Sequence, residues 1–171
     1  LKASFEEAFF NSNETYVHPS AIVGQDVILD PGAKIGPYTV IAGKVHIGSN
    51  SRIYPHVTIG FPAEDVNTRA PQGTVRIGQN CEIREFATIG ASKYPTGTTS
   101  IGDNCYIMHY CHVAHDATLE NNVIMINNVQ LGGHTYIEHH AFLMGNSATH
   151  QNTRIGQYTA LAPFGGARQD L

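Results

Sequence analysis

Residues 20–61 read SAIVGQ, DVILDP, GAKIGP, YTVIAG, KVHIGS, NSRIYP and HVTIGF, seven hexads without a gap. The fourth position of every hexad is aliphatic, and the second is mostly small or β-branched. The same phase returns after two interruptions, and only Thr149 and Ala167 weaken the aliphatic column near the C-terminal end. A period of six with two inward columns matches neither a helix nor a flat two-sided sheet. It predicts an all-β parallel β-helix, a triangular prism in which three hexads make one coil.

The interruptions and the N-terminal segment complete the predicted organisation. Residues 61–73 and 91–99 are rich in Pro, Gly and polar residues, which predicts two loops projecting from the prism. Glycine often follows the aliphatic position, and we expect these glycines to form the corners. Residues 1–16 precede the repeat, and the capping-box spacing of Ser4 and Glu7 favours a short helix over the open end, with a disordered leader as the alternative. The β-helix domain is expected to span residues 17–171.

Composition excludes several classes of protein. Of the 171 residues, 42% are hydrophobic and 14% charged, and the formal net charge is −4 at pH 7. This predicts a folded protein without a membrane span, and the scattered Lys and Arg argue against a nucleic-acid partner. Residues 1–16 lack the apolar run of a signal peptide, which predicts a cytoplasmic location. The three cysteines all fall in the small inward column, so we expect core residues rather than disulfides or zinc ligands.

The histidines are the unusual feature, because the chain has ten of them, as many as Lys and Arg residues together. None lies in either inward column, so all ten are expected outside the prism. Residues 18 apart stack on successive coils. Two outward columns then meet at one corner, beside His150: His115, Gly133 and Gln151 in one, and Asp116, His134 and Asn152 in the other. A solvated polar ladder is the alternative reading of these columns.

Such a corner offers a general base, a carboxylate to orient it and an unobstructed glycine N–H, which together suit acyl transfer to a hydroxyl or amine. Metal catalysis is the competing hypothesis. The trimeric zinc carbonic anhydrases built on hexapeptide repeats use two histidines five residues apart and a third about two coils earlier. Here the five-spaced pair is His134 and His139, but Thr98 and Asp103 occupy the earlier positions. The spacing therefore disfavours a metal site.

Several motifs resemble the UDP-N-acetylglucosamine 3-O-acyltransferases of lipid A biosynthesis. They are CHVAHD at 111–116, the pair Asn127-Asn128, LGGH at 131–134 and His150-Gln151, with VHPSAIV at 17–23 and IRE at 83–85. The resemblance covers residues 17–171 and is more specific than the hexapeptide pattern. It implies a left-handed coil and a homotrimer with active sites between neighbouring prisms.

The resemblance also implies roles for individual residues. His115 would take the proton from the sugar 3-hydroxyl, which attacks the thioester of an acyl carrier protein or of CoA. Asp116 would orient His115, and the Gly133 N–H would stabilise the oxyanion. No cofactor is implied beyond the donor thioester. The residues matching positions that contact the nucleotide sugar or acyl donor are Asp65, His112, His134, His150 and Gln151.

Departures from the family pattern leave other functions open. Asn67 stands where the family has a Lys, which is expected to weaken nucleotide binding, and Gly90 replaces a His. The sequence stops where the family continues into a C-terminal helical domain, so we expect either a naturally short relative or a sequence that lacks this part. A different sugar or amino-sugar acceptor, or a non-catalytic β-helix scaffold, is the alternative. Met108 and Met144 lie in one outward column, 36 residues apart, and their side chains would either form the bottom of an acyl-binding groove or pack between subunits.

Overall fold

The computed structural model describes residues 4–70 and 73–171, so residues 1–3 of the predicted leader lie outside it. The chain folds as a left-handed parallel β-helix, as predicted. The described residues contain 23 short strands, which form three parallel sheets. Sheet 1 contains β1 (Tyr16–Val17), β4 (Lys34–Ile35), β7 (Arg52–Ile53), β10 (Glu82–Ile83), β13 (Tyr106–Ile107), β16 (Ile124–Met125), β19 (Phe142–Leu143) and β22 (Ala160–Leu161).

Each coil passes from sheet 1 to sheet 2 and then to sheet 3. Sheet 2 contains β2 (Ile22–Val23), β5 (Val40–Ile41), β8 (Thr58–Phe61), β11 (Thr88–Gly90), β14 (His112–Val113), β17 (Gln130–Leu131), β20 (Ala148–Thr149) and β23 (Gly166–Ala167). Sheet 3 contains β3 (Val27–Leu29), β6 (Lys44–Ile47), β9 (Thr74–Ile77), β12 (Thr98–Ile101), β15 (Thr118–Leu119), β18 (Tyr136–Ile137) and β21 (Arg154–Ile155).

The strand register confirms the coil length expected from the hexads. His112 pairs with Gln130, and Thr118 pairs with Tyr136. Two coils are longer, because Ile59 pairs with Ile89 and Ile77 pairs with Ile101. The extra residues are the two predicted loops, 62–73 and 91–97, and both leave the prism at the corner that joins sheet 2 to sheet 3. The second is shorter than expected, since Thr98 and Thr99 belong to β12.

The core occupies the axis of the prism and consists of the two predicted inward columns. Isoleucine, leucine and valine of the aliphatic column are buried in nearly every coil, and small residues fill the other column. Cys81, Cys105 and Cys111 are buried there as free thiols, as expected. None of the ten histidines, all of which lie within the described residues, is buried.

Most of the repeated glycines directly follow a strand and so begin a corner, as expected. Among the described residues, the left-handed conformation belongs to sixteen non-glycine residues, mostly Asn, His, Tyr and Phe, and of the repeated glycines only Gly60 has a positive φ. The glycines are needed because successive coils approach each other closely. A Cβ on Gly48 would lie 2.5 Å from the carbonyl carbon of Gly78, and one on Gly78 would lie 2.7 Å from that of Gly102. The absence of a side chain, rather than a positive φ, therefore fits these glycines to the coil.

The N-terminal segment forms a short helical turn, Glu7–Asn11, with a π-type hydrogen bond from Ser12 N–H to the Glu7 carbonyl. The Glu7 N–H donates to Ser4 Oγ at 3.2 Å, as the capping-box spacing predicts. The turn lies on the outer face of sheet 1, where Phe9 is fully buried with its ring centroid 5.4 Å from that of Tyr54. It does not cover the open end, since the inward residue Val17 stays 40% exposed.

Within the described residues, no helix combines the length and apolar character needed to cross a membrane.

Candidate active site

Two predicted columns do meet at the corner between sheets 2 and 3, which we call the histidine corner: His115, Asp116, Gly133, His134, Gln151 and Asn152. Backbone hydrogen bonds connect its coils, from His134 N–H to the His115 carbonyl at 3.1 Å and from Asn152 N–H to the Gly133 carbonyl at 2.9 Å. The rings of His115 and His134 contact edge to face, with centroids 5.3 Å apart. Stacked coils therefore bring together His115 and His134, whose side chains are one coil plus one residue apart in sequence.

His115 and Asp116 form the most enclosed pair of the corner. His115 Nδ1 lies 2.9 Å from Asp116 Oδ2, and their side chains are only 12% and 9% exposed. His134 Nε2 lies 3.8 Å from the same carboxylate oxygen. Asp116 has the left-handed backbone conformation with φ of 60°, which Asp tolerates better than most residues. This conformation places the carboxylate beside the ring of the preceding residue.

The second loop holds the Asp116 carboxylate from the other side. Ser92 Oγ donates a hydrogen bond to Oδ1, and the Lys93 N–H donates to Oδ2 at 3.3 Å. Burial alone would raise the pKa of Asp116, but the hydrogen bonds from Ser92, His115 and the Lys93 N–H outweigh it and hold the pKa below its usual range. The carboxylate is therefore ionised at neutral pH and is fixed in orientation.

Gly133 lies directly under the His115 ring. A Cβ at this position would lie 2.7 Å from Cε1 and 2.8 Å from Nε2 of His115, so only glycine leaves room for the imidazole. No group of the described residues accepts a hydrogen bond from the Gly133 N–H. The glycine therefore permits the position of the ring and offers a donor to a bound molecule.

The first loop contributes Asp65, which lies 3.5 Å from the Lys93 ammonium. The Asn67 N–H donates to Asp65 Oδ1 at 2.9 Å. This backbone hydrogen bond, together with Lys93 and more weakly His115, holds the pKa of Asp65 below its usual value despite partial burial. The two loops thus meet each other above the histidine corner, through an ion pair that the sequence pattern did not indicate.

His112 lies on β14 of sheet 2, three residues before His115, which lies in the corner that follows this strand. Its Nδ1 lies 2.7 Å from Thr88 Oγ1, and its Nε2 lies 3.3 Å from Glu64 Oε2. Burial raises the pKa of Glu64, but the hydrogen bond and charge of His112 outweigh it and lower the pKa overall. Glu64 was not predicted as a site residue, and it fills the space beside Gly90.

Four predicted site residues form no hydrogen bond with His115, Asp116 or His134 within the described part of the chain. His150 and Gln151 are exposed one coil further along, where His150 Nδ1 lies 3.2 Å from the Gln151 carbonyl oxygen. Met108 and Met144 are half-buried and follow strands of sheet 1, at a different corner. The roles predicted for these residues stay predictions.

Three side chains of the histidine corner also have the chemistry of metal ligands. One ligand atom each from His115, Asp116 and His134 lies within 4.8 Å of the others. His134 and His139 do not come together, because the His139 ring packs edge to face against the rings of His140 and Tyr158 at the corner between sheets 3 and 1. A surface concavity lined in part by Asp103, His139 and His140 also lies toward that corner, away from His115.

Comparisons with known proteins agree with this geometry. The bacterial transferase hexapeptide family (six repeats) matches residues 30–60 and 98–133. The acyl-[acyl-carrier-protein]–UDP-N-acetylglucosamine O-acyltransferase of Thermodesulfovibrio yellowstonii is 42% identical over 76 residues, which are 44% of this chain and 30% of the relative. The chain thus spans about a third of the length of the curated relatives it matches.

Solved structures extend the similarity over most of the chain. The UDP-N-acetylglucosamine acyltransferase of Francisella novicida has a TM-score of 0.76 and 32% identity, and the match covers 88% of this chain and 62% of that one. The Campylobacter jejuni UDP-N-acetylglucosamine acyltransferase has a TM-score of 0.70 and 32% identity, with 91% and 68% covered. From this identity and coverage, the chain belongs to the UDP-N-acetylglucosamine acyltransferase family.

Proposed function

We propose that the chain transfers an acyl group from the thioester of an acyl carrier protein, or of CoA, to the 3-hydroxyl of UDP-N-acetylglucosamine. The observation that carries the proposal is the His115–Asp116 pair, held by Ser92 and packed on Gly133. Relatives bearing this activity in their names support the choice of donor and acceptor.

His115 is the proposed general base. Since Nδ1 faces the ionised Asp116 carboxylate, the neutral ring carries its proton on Nδ1 and leaves Nε2 with a free lone pair. Nε2 takes the proton of the acceptor hydroxyl as its oxygen attacks the thioester carbonyl carbon. Asp116 then stabilises the imidazolium, in the way a buried carboxylate supports a catalytic histidine.

Gly133 is the proposed oxyanion donor. As the hydroxyl oxygen bonds to carbon, the carbonyl oxygen becomes negatively charged and accepts a hydrogen bond from the Gly133 N–H. The tetrahedral intermediate then collapses, the carbon–sulfur bond breaks, and the imidazolium returns its proton to the departing thiolate. The ester and the free thiol leave, and His115 is neutral again. This reaction mechanism needs no covalent enzyme intermediate and no cofactor besides the donor thioester.

The assembly and location are further parts of the proposal. A homotrimer with active sites between neighbouring prisms is proposed from the family resemblance. In such a trimer His150 and Gln151, exposed in the single chain, would face substrate beside the neighbouring subunit, and so would Met108 and Met144 along the acyl chain. The cytoplasm is the proposed compartment. Light scattering on purified protein tests the trimer directly.

The activity is tested by incubating the protein with acyl carrier protein thioesters and CoA thioesters of several chain lengths, together with UDP-N-acetylglucosamine and related nucleotide sugars. Product masses identify donor and acceptor. The matched control for His115→Ala is His139→Ala, because His139 occupies the same hexad position at another corner. We expect product from wild type and His139→Ala and almost none from His115→Ala. Equal turnover by both variants would overturn the mechanism.

A metal-dependent reaction at the same groups is excluded or supported in the same experiment. Metal analysis of the purified protein and assay after chelation are added as two further arms. Full activity in the chelated, metal-free protein supports the acid–base mechanism. Activity that disappears on chelation and returns with a divalent cation would instead assign His115, Asp116 and His134 as ligands.

A further inference from the structure

The histidine corner and its two loops carry an excess of negative charge. Glu64, Asp65 and Asp116 all have pKa values below their usual range, so three carboxylates are ionised at neutral pH. A nucleotide sugar adds two more negative charges through its diphosphate. A binding site for such a substrate therefore needs a cation, and Asn67 does not provide one.

Lys93 is placed to supply this charge. Its backbone N–H binds the carboxylate of Asp116, so the residue is fixed 3.3 Å from the group that orients His115. Its ammonium lies 3.5 Å from Asp65 Oδ2 and 5.3 Å from the centre of the Tyr94 ring. The side chain remains 26% exposed, so the ammonium faces the loop surface rather than the core.

The ammonium has donor capacity to spare. It carries three hydrogens, and its hydrogen-bonding partners among residues 4–70 and 73–171 are Asp65 and the Tyr94 side chain, which leaves one hydrogen free. Burial would lower the pKa of Lys93, but Tyr94 and Asp65 outweigh it and raise the pKa, which keeps the group charged. A bound phosphate can therefore contact Lys93 without displacing Asp65.

We propose that Lys93 binds the diphosphate of the nucleotide acceptor, and so replaces from the second loop the positive charge that Asn67 lacks in the first. The inference rests on the proposed function and assigns the substrate-binding cation of that same site. Arg69 is the other cation of the two loops. It is exposed and forms no ion pair with any described residue, so nothing fixes it near Asp116.

The experiment measures the dissociation constants of UDP and of uridine by titration calorimetry, which needs no turnover. The variants are Lys93→Met, Arg69→Met as the matched loss of charge, and the double variant Lys93→Met/Asn67→Lys. Loss of a charged hydrogen bond predicts a rise of about 10- to 100-fold in the UDP constant of Lys93→Met. We expect little change for uridine, little change for Arg69→Met, and substantial recovery in the double variant. Thermal unfolding checks that each variant is folded.

Three results would overturn the inference. One is a UDP constant that does not depend on Lys93, and another is an equal loss in Arg69→Met. The third is an effect of Lys93→Met that appears only in the KM for the acyl donor, which would assign the charge to the donor's phosphate. Acyl transfer to UDP-N-acetylglucosamine by wild type, with UDP binding indifferent to Lys93, would refute the inference and leave the proposed function standing.

Discussion

Gly133→Ala isolates the position of the His115 ring from its chemistry, because it removes no ionisable group. The new Cβ would lie 2.7 Å from Cε1 and 2.8 Å from Nε2, whereas ordinary contact begins at 3.4 Å. The ring must therefore retreat by about 0.6 Å or more. Misplacement approaching 1 Å at a reacting group costs about 100-fold in rate. We expect kcat to fall about 30- to 100-fold, which corresponds to about 2–3 kcal/mol of transition-state stabilisation.

The matched control is Gly145→Ala. Gly145 has the same hexad position at another corner, and a Cβ there would meet its nearest neighbours at 3.4 and 3.6 Å. The assay compares kcat, KM and the thermal unfolding midpoint of both variants with wild type. We expect Gly133→Ala to lower kcat with the unfolding midpoint nearly unchanged, and Gly145→Ala to change neither. A Gly133→Ala variant with wild-type kcat, or an equal loss in Gly145→Ala, would refute the placement of His115 over this glycine.

The remaining predictions test the base, the carboxylate and the scaffold. His115→Ala is expected to lower kcat by about 10²- to 10⁴-fold with the trimer intact, measured by turnover and light scattering. The pKa of Asp116 is lowered in the folded protein, so the ionised carboxylate stabilises the fold fully above the pKa of an unfolded Asp, and this stabilisation is lost as the pH falls through the pKa of the folded protein. The difference in unfolding free energy between wild type and Asp116→Asn should therefore shrink below about pH 4 in thermal unfolding scans. Gly48→Ala should destabilise by about 2 kcal/mol or more, because backbone atoms of the next coil cannot move aside, whereas an unchanged unfolding free energy would contradict the close approach of the coils.

The prism was predictable from sequence because its geometry repeats. One rule, two inward positions in every six, places Ile35, Ile107 and Cys111 in the core without knowledge of their neighbours. The same rule places His115 and His134 on one corner, since they are separated by one coil plus one residue. The physical reason for each glycine was not predictable, because spacing alone does not distinguish a residue with a positive φ, such as Gly60, from one that needs room for a neighbouring coil, such as Gly48.

The loop contacts were not predictable in this way. Ser92, Lys93 and Glu64 lie in segments where the hexad phase is interrupted, so no column number relates them to Asp116 or His112. Their positions depend on how each loop folds back on the prism. A serine or lysine in a Pro- and Gly-rich loop carries no local signal of its partner. Only the coordinates show that Ser92 donates to Asp116 and that Lys93 reaches Asp65.

The loop lengths explain how binding groups can vary while the chemistry is kept. The two long coils pair residues 30 and 24 apart, so each loop inserts a whole number of hexads and every outward column resumes its phase. A change within a loop therefore does not rotate His115 or Gly133 relative to the prism. Asn67 and Lys93 both lie in these loops, so the charge at either position can differ without a change in the hexad phase of the corner. Substitutions at Lys93 and Asn67 should accordingly change substrate binding and leave kcat at saturation close to wild type.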